Sequence, residues 1–341
     1  MSWRVRAFTA VVALLVIIVA AYAWLTPGVS RSGGAPALSG TNSPDPAPGY
    51  LAEIPAAPFA LVRSLVADNT HGRVGVVPLS TPDGPRFITG LTCERVFLAA
   101  GRGVCLKLGA DGMRTTYTAE VFDASFEVRG RVPLTGVPSR VRVSPDGRRA
   151  AVTVFEEGHS YLERGFSTRT TLIDTNEVGI ISDLESFEVT RDARRFREVD
   201  FNFWGVTFAR DSNHFYATLS SGDVKYLVEG DVEARTARVI GRDVECPSLS
   251  PDNTRVAYKK AYNDSRGIGW TLHVLDLSSG ADVALNAESR SVDDQVEWLD
   301  DGHVMYHLPS SRGADIWVLA ADGQTPPRLL IPLAYSPAVV R

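Results

Sequence analysis

Cysteine, methionine and lysine are all scarce in this chain: three Cys, three Met, and four Lys (Lys107, Lys225, Lys259, Lys260) among 35 basic residues in a total of 341. Three cysteines exclude a disulfide-dense scaffold, and with no second pair of Cys or His at ligand spacing they exclude a zinc site as well. No Gly-x-Ser-x-Gly elbow occurs, which argues against an α/β-hydrolase peptidase. The formal net charge is −5, so the chain lacks the basic surplus of a nucleic-acid-binding surface. Long hydrophobic runs are missing too, apart from one near the N terminus.

What the chain does have is repetition. Four segments carry one signature: Val141–Val152 (VRVSPDGRRAAV), Val206–Ala217 (VTFARDSNHFYA), Pro247–Tyr258 (PSLSPDNTRVAY) and Val296–Tyr306 (VEWLDDGHVMY). Each reads as an alternating strand, a turn centred on Asp146, Asp211, Asp252 or Asp301, and a second strand. Pro presets φ at the second turn position, Asp bonds the backbone two residues on, and Gly or Asn accepts the left-handed conformation. These Asp residues are therefore turn formers and not catalytic groups. A third strand follows each hairpin, as in Ala119–Asp123, Thr171–Asp174, Leu272–Asp276 and Ile316–Ala320, and then a less regular fourth, such as Arg328–Ile331.

Starts at Val206, Pro247 and Val296 lie 41 and 49 residues apart, the size of a four-stranded propeller blade. The 65-residue step from Val141 to Val206 predicts an insertion in the third blade. Glu94–Leu108 reads as a further hairpin, and Phe59 to Leu91 supplies three strands lacking an innermost one, which Ala334–Arg341 completes. The count is an all-β, six-bladed β-propeller of four-stranded antiparallel blades, closed by the C-terminal strand so that no sheet edge is left open. Over residues 59–341 the chain resembles the TolB-like, WD-repeat-like bacterial propellers, on its Ser-Pro-Asp-Gly turns and the Asp-x-x-x-Gly turns after the third strands. The match is strongest at Val141–Val152 and Pro247–Tyr258, and the amino-terminal α/β domain of TolB itself is not found. The resemblance implies a propeller outside the cytoplasm that serves as a protein-interaction platform.

The one apolar run, Phe8–Leu25, spans 18 residues behind Arg4 and Arg6. It suffices to cross a thin bilayer with the basic end in the cytoplasm. Ala21-Tyr-Ala23 matches a signal-peptidase site. Residues 1–25 are thus read as a membrane anchor, giving a single-pass protein with an extracytoplasmic propeller, or alternatively as a cleaved signal of a secreted one. Residues 26–58 form a Pro, Gly and Ser-rich tether, and residues 59–341 the propeller.

Cys93 and Cys105 flank Ala99 symmetrically and could pair as a disulfide; the other reading is two buried thiols. Cys246 reads as core. Of the six histidines, His214 and His303 fill turn slots, His273 lies within a strand, and His159 is a loop residue. The acids Asp293, Asp294, Glu297, Asp300 and Asp301 match no calcium-loop spacing, and alternation around Val296 and Trp298 makes them the solvated face of a strand.

The remaining candidates are loops expected around one mouth of the channel. Blade three supplies Glu156, Glu157, His159, Tyr161 and Arg164. Blade five supplies Lys259, Lys260, Tyr262, Asp264 and Arg266. The crossing into blade four adds Arg194, Arg195 and Arg197, and blade six adds Arg312. Arg and Tyr on long loops of a rigid scaffold make a docking surface. The sequence thus points to a non-enzymatic scaffold binding an envelope protein or cell-wall component, without cofactor or metal. The alternatives are an envelope lyase or glycan hydrolase using Glu156, Glu157 or Asp264, and a sensor binding a small ligand.

Overall fold

Period-two alternation becomes strand along most of the described part of the chain. The computed structural model describes residues 49–156, 167–265 and 267–341; the expected anchor and most of the tether lie outside these residues, as do Glu157, His159, Tyr161, Arg164 and Arg266. No helix among the described residues is long and apolar enough to cross a membrane.

Six sheets follow one another in chain order, antiparallel throughout except for one parallel pairing in the fourth. The closing blade joins the two ends of the propeller: Ala334–Val340 is its innermost strand, followed outward by Phe59–Ser64, Arg73–Pro78 and Phe87–Thr92. Phe59 faces Val340 and Ser64 faces Ala334 across the joining ladder. Arg86 stitches this seam. Fully buried, it donates to the carbonyls of Pro332 (2.9 Å) and Leu333 (3.4 Å), and burial lowers its pKa to about 10. The body also begins earlier than Phe59, because the Arg86 N–H donates to the Gly49 carbonyl and the Leu51 N–H to the Arg86 carbonyl.

Four other blades hold four strands each, with innermost strands Arg95–Ala99, Gly136–Val143, Glu245–Leu249 and Glu297–Asp300. Blade 4, with innermost strand Asn202–Phe208, carries six. Its two extra strands, Glu188–Arg191 and Arg194–Phe196, come from the predicted insertion, which joins blade 4 and not blade 3 as expected, because Glu188–Arg191 runs parallel to Thr236–Arg242 at the outer edge of blade 4. Between blades the core is aromatic and aliphatic, with Trp204, Trp298, Tyr306, Phe122, Phe203 and Phe215 among its largest buried side chains. Gly103 and Gly230 lie opposite Phe122 and Phe215 in register, and each ring covers its glycine so closely that a Cβ would stand 2.1 Å from it.

Cys93 and Cys105 form a disulfide. They are not opposed across the hairpin, since Val96 is the register partner of Cys105; Cys93 lies before the strand, its N–H bound to the Gly72 carbonyl. The bridge therefore fastens the crossing out of the closing blade, blade 1, to Arg102–Asp111, the second strand of blade 2. Cys246 is free and buried, as expected.

Candidate functional site

The repeated turns form one face, and their side chains have a double task. In blade 3, Ser144 Oγ donates to Asp146 (2.6 Å), Asp146 accepts the Arg148 N–H (3.0 Å), and Ser144 Oγ accepts the Arg149 N–H (3.0 Å). Blade 5 repeats the pattern with Ser250, Asp252, Thr254 and Arg255. In blade 6 the turn lies at Asp301 and Gly302, as expected, and the capping carboxylate is Asp300, which accepts the Gly302 N–H at 2.7 Å.

The slot after the capping Asp does the second task. It holds Ser212, Asn253 or Asp301, and each accepts a backbone N–H from the turn of the preceding blade: Asp146 to Ser212 (3.0 Å), Arg210 to Asn253 (2.7 Å), Asp252 to Asp301 (3.0 Å). Arg149 adds a bond to the Ser212 carbonyl (2.9 Å). In blade 3 the slot is Gly147, whose Cβ position would be 2.9 Å from the Ala99 carbonyl of blade 2. Sequence reading saw the turns and missed this belt, although the run of short polar residues in one slot was its signal.

Inside the belt the channel opens in a cavity of about 320 Å³ to which every blade contributes, including Phe97, Arg142, Phe208, Pro251, Trp298 and Arg341. Beneath the apolar rings, Arg142 pairs with Glu297 at 3.2 Å, and its guanidinium lies 4.8 Å from the centre of the Phe97 ring. Burial raises the Glu297 pKa, with Arg142 and Arg341 opposing it. Deeper in, a space of about 20 Å³ is bordered by Arg95, Arg140, Asp294 and Gln295, room for a single water. His307 Nδ1 lies 2.6 Å from Asp294. Burial pushes the Asp294 carboxyl up, but His307, Arg140 and Arg95 outweigh it and hold the group far below the usual carboxylate range. Gln295 Nε2 donates to the carbonyls of Val206 (3.1 Å) and Pro247 (2.8 Å), linking blade 6 to blades 4 and 5. Glu297, on the innermost strand Glu297–Asp300, and Asp294, in the segment leading into it, are thus buried and not a solvated strand face, because that strand has the blade on one side and the channel on the other.

The opposite face does not gather the loop residues predicted for it. Lys259 is no surface group: it lies within the strand Arg255–Asp264, fully buried, hydrogen-bonded to Asp293 and 4.5 Å from the Trp270 ring centre. Strand alternation turns it inward, where Trp270 Nε1 also binds Glu245 (3.0 Å). Lys260 lines a cleft between the outer strands of blades 4 and 5 with Asp282 and Tyr216. Tyr262 is half-buried over Gly269, and Asp264 ends its strand exposed. Glu156 is half-buried, bound by Arg169 (2.7 Å) and Ser167 (2.9 Å). Arg312 is exposed in the turn before Gly313–Ala320. Arg194 and Arg195 belong to the added hairpin, and Arg197 follows it, all exposed.

No protein-family model and no curated protein matches the sequence. Among solved structures, the chain is similar to TolB from Acinetobacter baumannii, at 15% identity and a TM-score of 0.54 over 83% of this chain and 66% of that one. It is equally similar to a chain of the nidogen–laminin complex, at 9% identity and a TM-score of 0.54 over 83% of this chain and 98% of that one. A putative TolB from Agrobacterium tumefaciens gives 10% identity and a TM-score of 0.48 over 80% and 88% of the two chains. The chain spans just under two thirds of the Acinetobacter protein's length. At these identities the likeness is one of fold: the chain is a six-bladed propeller with the fold that TolB and the chain of the nidogen–laminin complex share.

Proposed function

We propose that the chain is a non-enzymatic, membrane-tethered docking platform on the extracytoplasmic side, taking a segment of an envelope protein or a cell-wall component at the channel mouth ringed by the repeated turns. The observation that carries this reading is the mouth itself. All six blades line it, its walls are apolar rings and prolines, its floor is the Arg142–Glu297 pair, and Arg210 and Arg341 stand exposed at its rim. Aromatic and Arg groups around a concavity on a rigid scaffold are the composition of a binding hot spot. The buried acids Asp294 and Glu297 are both engaged, Asp294 by a hydrogen bond with His307 and Glu297 by the Arg142 guanidinium, which leaves them structural work and not acid–base chemistry. The fold shared with TolB and with a chain of the nidogen–laminin complex supports a protein partner in general. The apolar run Phe8–Leu25 supports the tether.

The test is co-purification of the tagged full chain from gently crosslinked membranes of its own host. Arg210→Glu with Arg341→Glu should abolish recovery of the partner, while Lys260→Glu with Arg312→Glu should leave it intact. Loss with the second pair alone would move the docking site to the other face, and recovery with both pairs would overturn the reading.

A further inference from the structure

Blade 4 is complete without the hairpin Glu188–Phe196. Its four strands from Asn202 to Arg242 match those of the other blades, and the hairpin is added beyond them. The last strand, Arg194–Phe196, ends the sheet, and its outer edge pairs with no other backbone among the described residues.

A short, charged edge strand is one way to discourage aggregation, but three features go beyond that. Arg191 and Arg194 stand directly opposite each other across the hairpin, where like charges repel. Arg191 is also held in place: its guanidinium lies 4.0 Å from the Phe196 ring centre, and Nη1 donates to the Tyr226 hydroxyl at 2.9 Å. Finally, both faces of the edge strand are concave. One cleft, about 350 Å³, is lined by Arg191, Asp192, Arg194, Arg195 and Phe196. The other, about 780 Å³, contains Arg195 and Arg197 beside Val199 and Phe201, with the acids Glu185 and Glu198. Glu185 is turned onto the backbone N–H groups of Thr170 (3.1 Å) and Phe203 (3.4 Å). Among the described residues no ion pair engages Arg194, Arg195 or Arg197.

We infer that this hairpin is a second docking site, separate from the channel mouth, at which an extended acidic segment of a partner protein adds as a further strand along Arg194–Phe196. Backbone hydrogen bonds along the open edge supply affinity, and alternate side chains of the added strand fall into the two clefts, where carboxylates meet the arginines. A carboxylate between Arg191 and Arg194 relieves their repulsion.

The test uses the purified full chain and a fluorescent peptide alternating Glu and Val, followed by anisotropy. Binding should weaken with salt, and Arg194→Glu with Arg195→Glu should reduce it roughly tenfold or more; Arg312→Glu should not change it. The same peptide N-methylated at alternate residues should fail to bind, as should a Lys–Val peptide. No binding of the acidic peptide would overturn the proposal, and so would equal binding of its N-methylated form, since charge alone would then suffice. Arg194- and Arg195-dependent sedimentation with phosphatidylglycerol vesicles, without peptide binding, would replace it by a lipid-facing role. The milder Arg194→Gln with Arg195→Gln keeps the test valid where charge reversal unfolds the hairpin. None of these outcomes bears on the channel mouth.

Discussion

The turn of blade 3 from Ser144 to Arg149 and the turn of the added hairpin from Arg191 to Arg194 both reverse the chain through left-handed residues, and they are built on different grounds. The first uses Gly147 at φ +76°, caps itself through Asp146, and presses against the neighbouring blade. The second uses Asp192 at φ +52° and Ala193 at φ +58°, with an arginine on either side. The blade 3 turn recurs around the ring because every blade meets its neighbour in the same way. The hairpin occurs once, so the demands of the ring do not explain it; a residue pattern that the scaffold does not require is where specificity is expected to reside.

The largest effect should come from the scaffold side of this comparison. Arg142 leads into the blade 3 turn and is largely buried against Glu297, their side chains 11% and 7% exposed. Removing one partner strands the other charge, so Arg142→Leu should lower stability by about 3 kcal/mol in urea unfolding, the low end for a buried pair because the mouth stays open to water. Changing both, Arg142→Leu with Glu297→Leu, should recover most of that loss. If the double variant is no more stable than the single, the pair is not the source of the loss.

Exchanging glycine and alanine between the two turns sharpens the contrast. Gly147→Ala places a Cβ against the Ala99 carbonyl in a conformation that costs an L-residue roughly 1–2 kcal/mol, so a loss of about 2 kcal/mol is expected. Ala193→Gly should act in the opposite sense, gaining up to about 1 kcal/mol, because Ala193 is exposed and its left-handed strain is released. Equal and opposite changes would mean that the backbone conformation alone decides; a larger loss at Gly147 would mean that contact between blades contributes.

Most of the architecture was legible because propeller strands alternate and their turns require particular residues. Asp146 and Asp252 announce themselves by the Pro before and the Gly or Asn after, and the closing strand was found by counting which blade lacked its inner member. The site was less legible. Lys259 has the composition of a surface residue, but burial is set by which side of the second strand of blade 5 it occupies and by a partner, Asp293, 34 residues away. Asp294 and Glu297 looked solvated for the same reason: a sequence does not say that an innermost strand and the segment leading into it are walled on both sides. Arg194 and Arg195 were read as loop residues at the channel mouth; they are exposed, but on a strand at the outer edge of blade 4, a place that follows from a parallel pairing of Glu188 with Thr236, which no local pattern announces.

The finest distinction concerns His214, which occupies the position after the blade 4 turn where blades 3 and 5 have Arg149 and Arg255. A guanidinium is a fixed charge in proteins, whereas an imidazole changes charge near neutral pH. His214 Nδ1 lies 2.6 Å from Asp211, and Nε2 lies 3.6 Å from Asp231. The hydrogen bond to Asp211 raises its pKa above the ordinary 6.5, with burial opposing and the charges of Asp211, Asp231 and Glu229 assisting. A raised histidine pKa means that the folded state favours the protonated ring. Its contribution is therefore complete below the unfolded value and disappears as pH rises through the folded one. Asp211 is depressed in turn, and its own contribution fades only in acid, well below this window. With the ring half-exposed, screening limits the effect to a few tenths of a kcal/mol. Between about pH 6 and pH 8 the urea midpoint of the wild type should fall slightly more than that of His214→Gln, and His214→Arg should remove the slope while keeping the stability. If the slope survives in His214→Arg, another group sets it, and the belt of turns is as indifferent to pH at blade 4 as at blades 3 and 5.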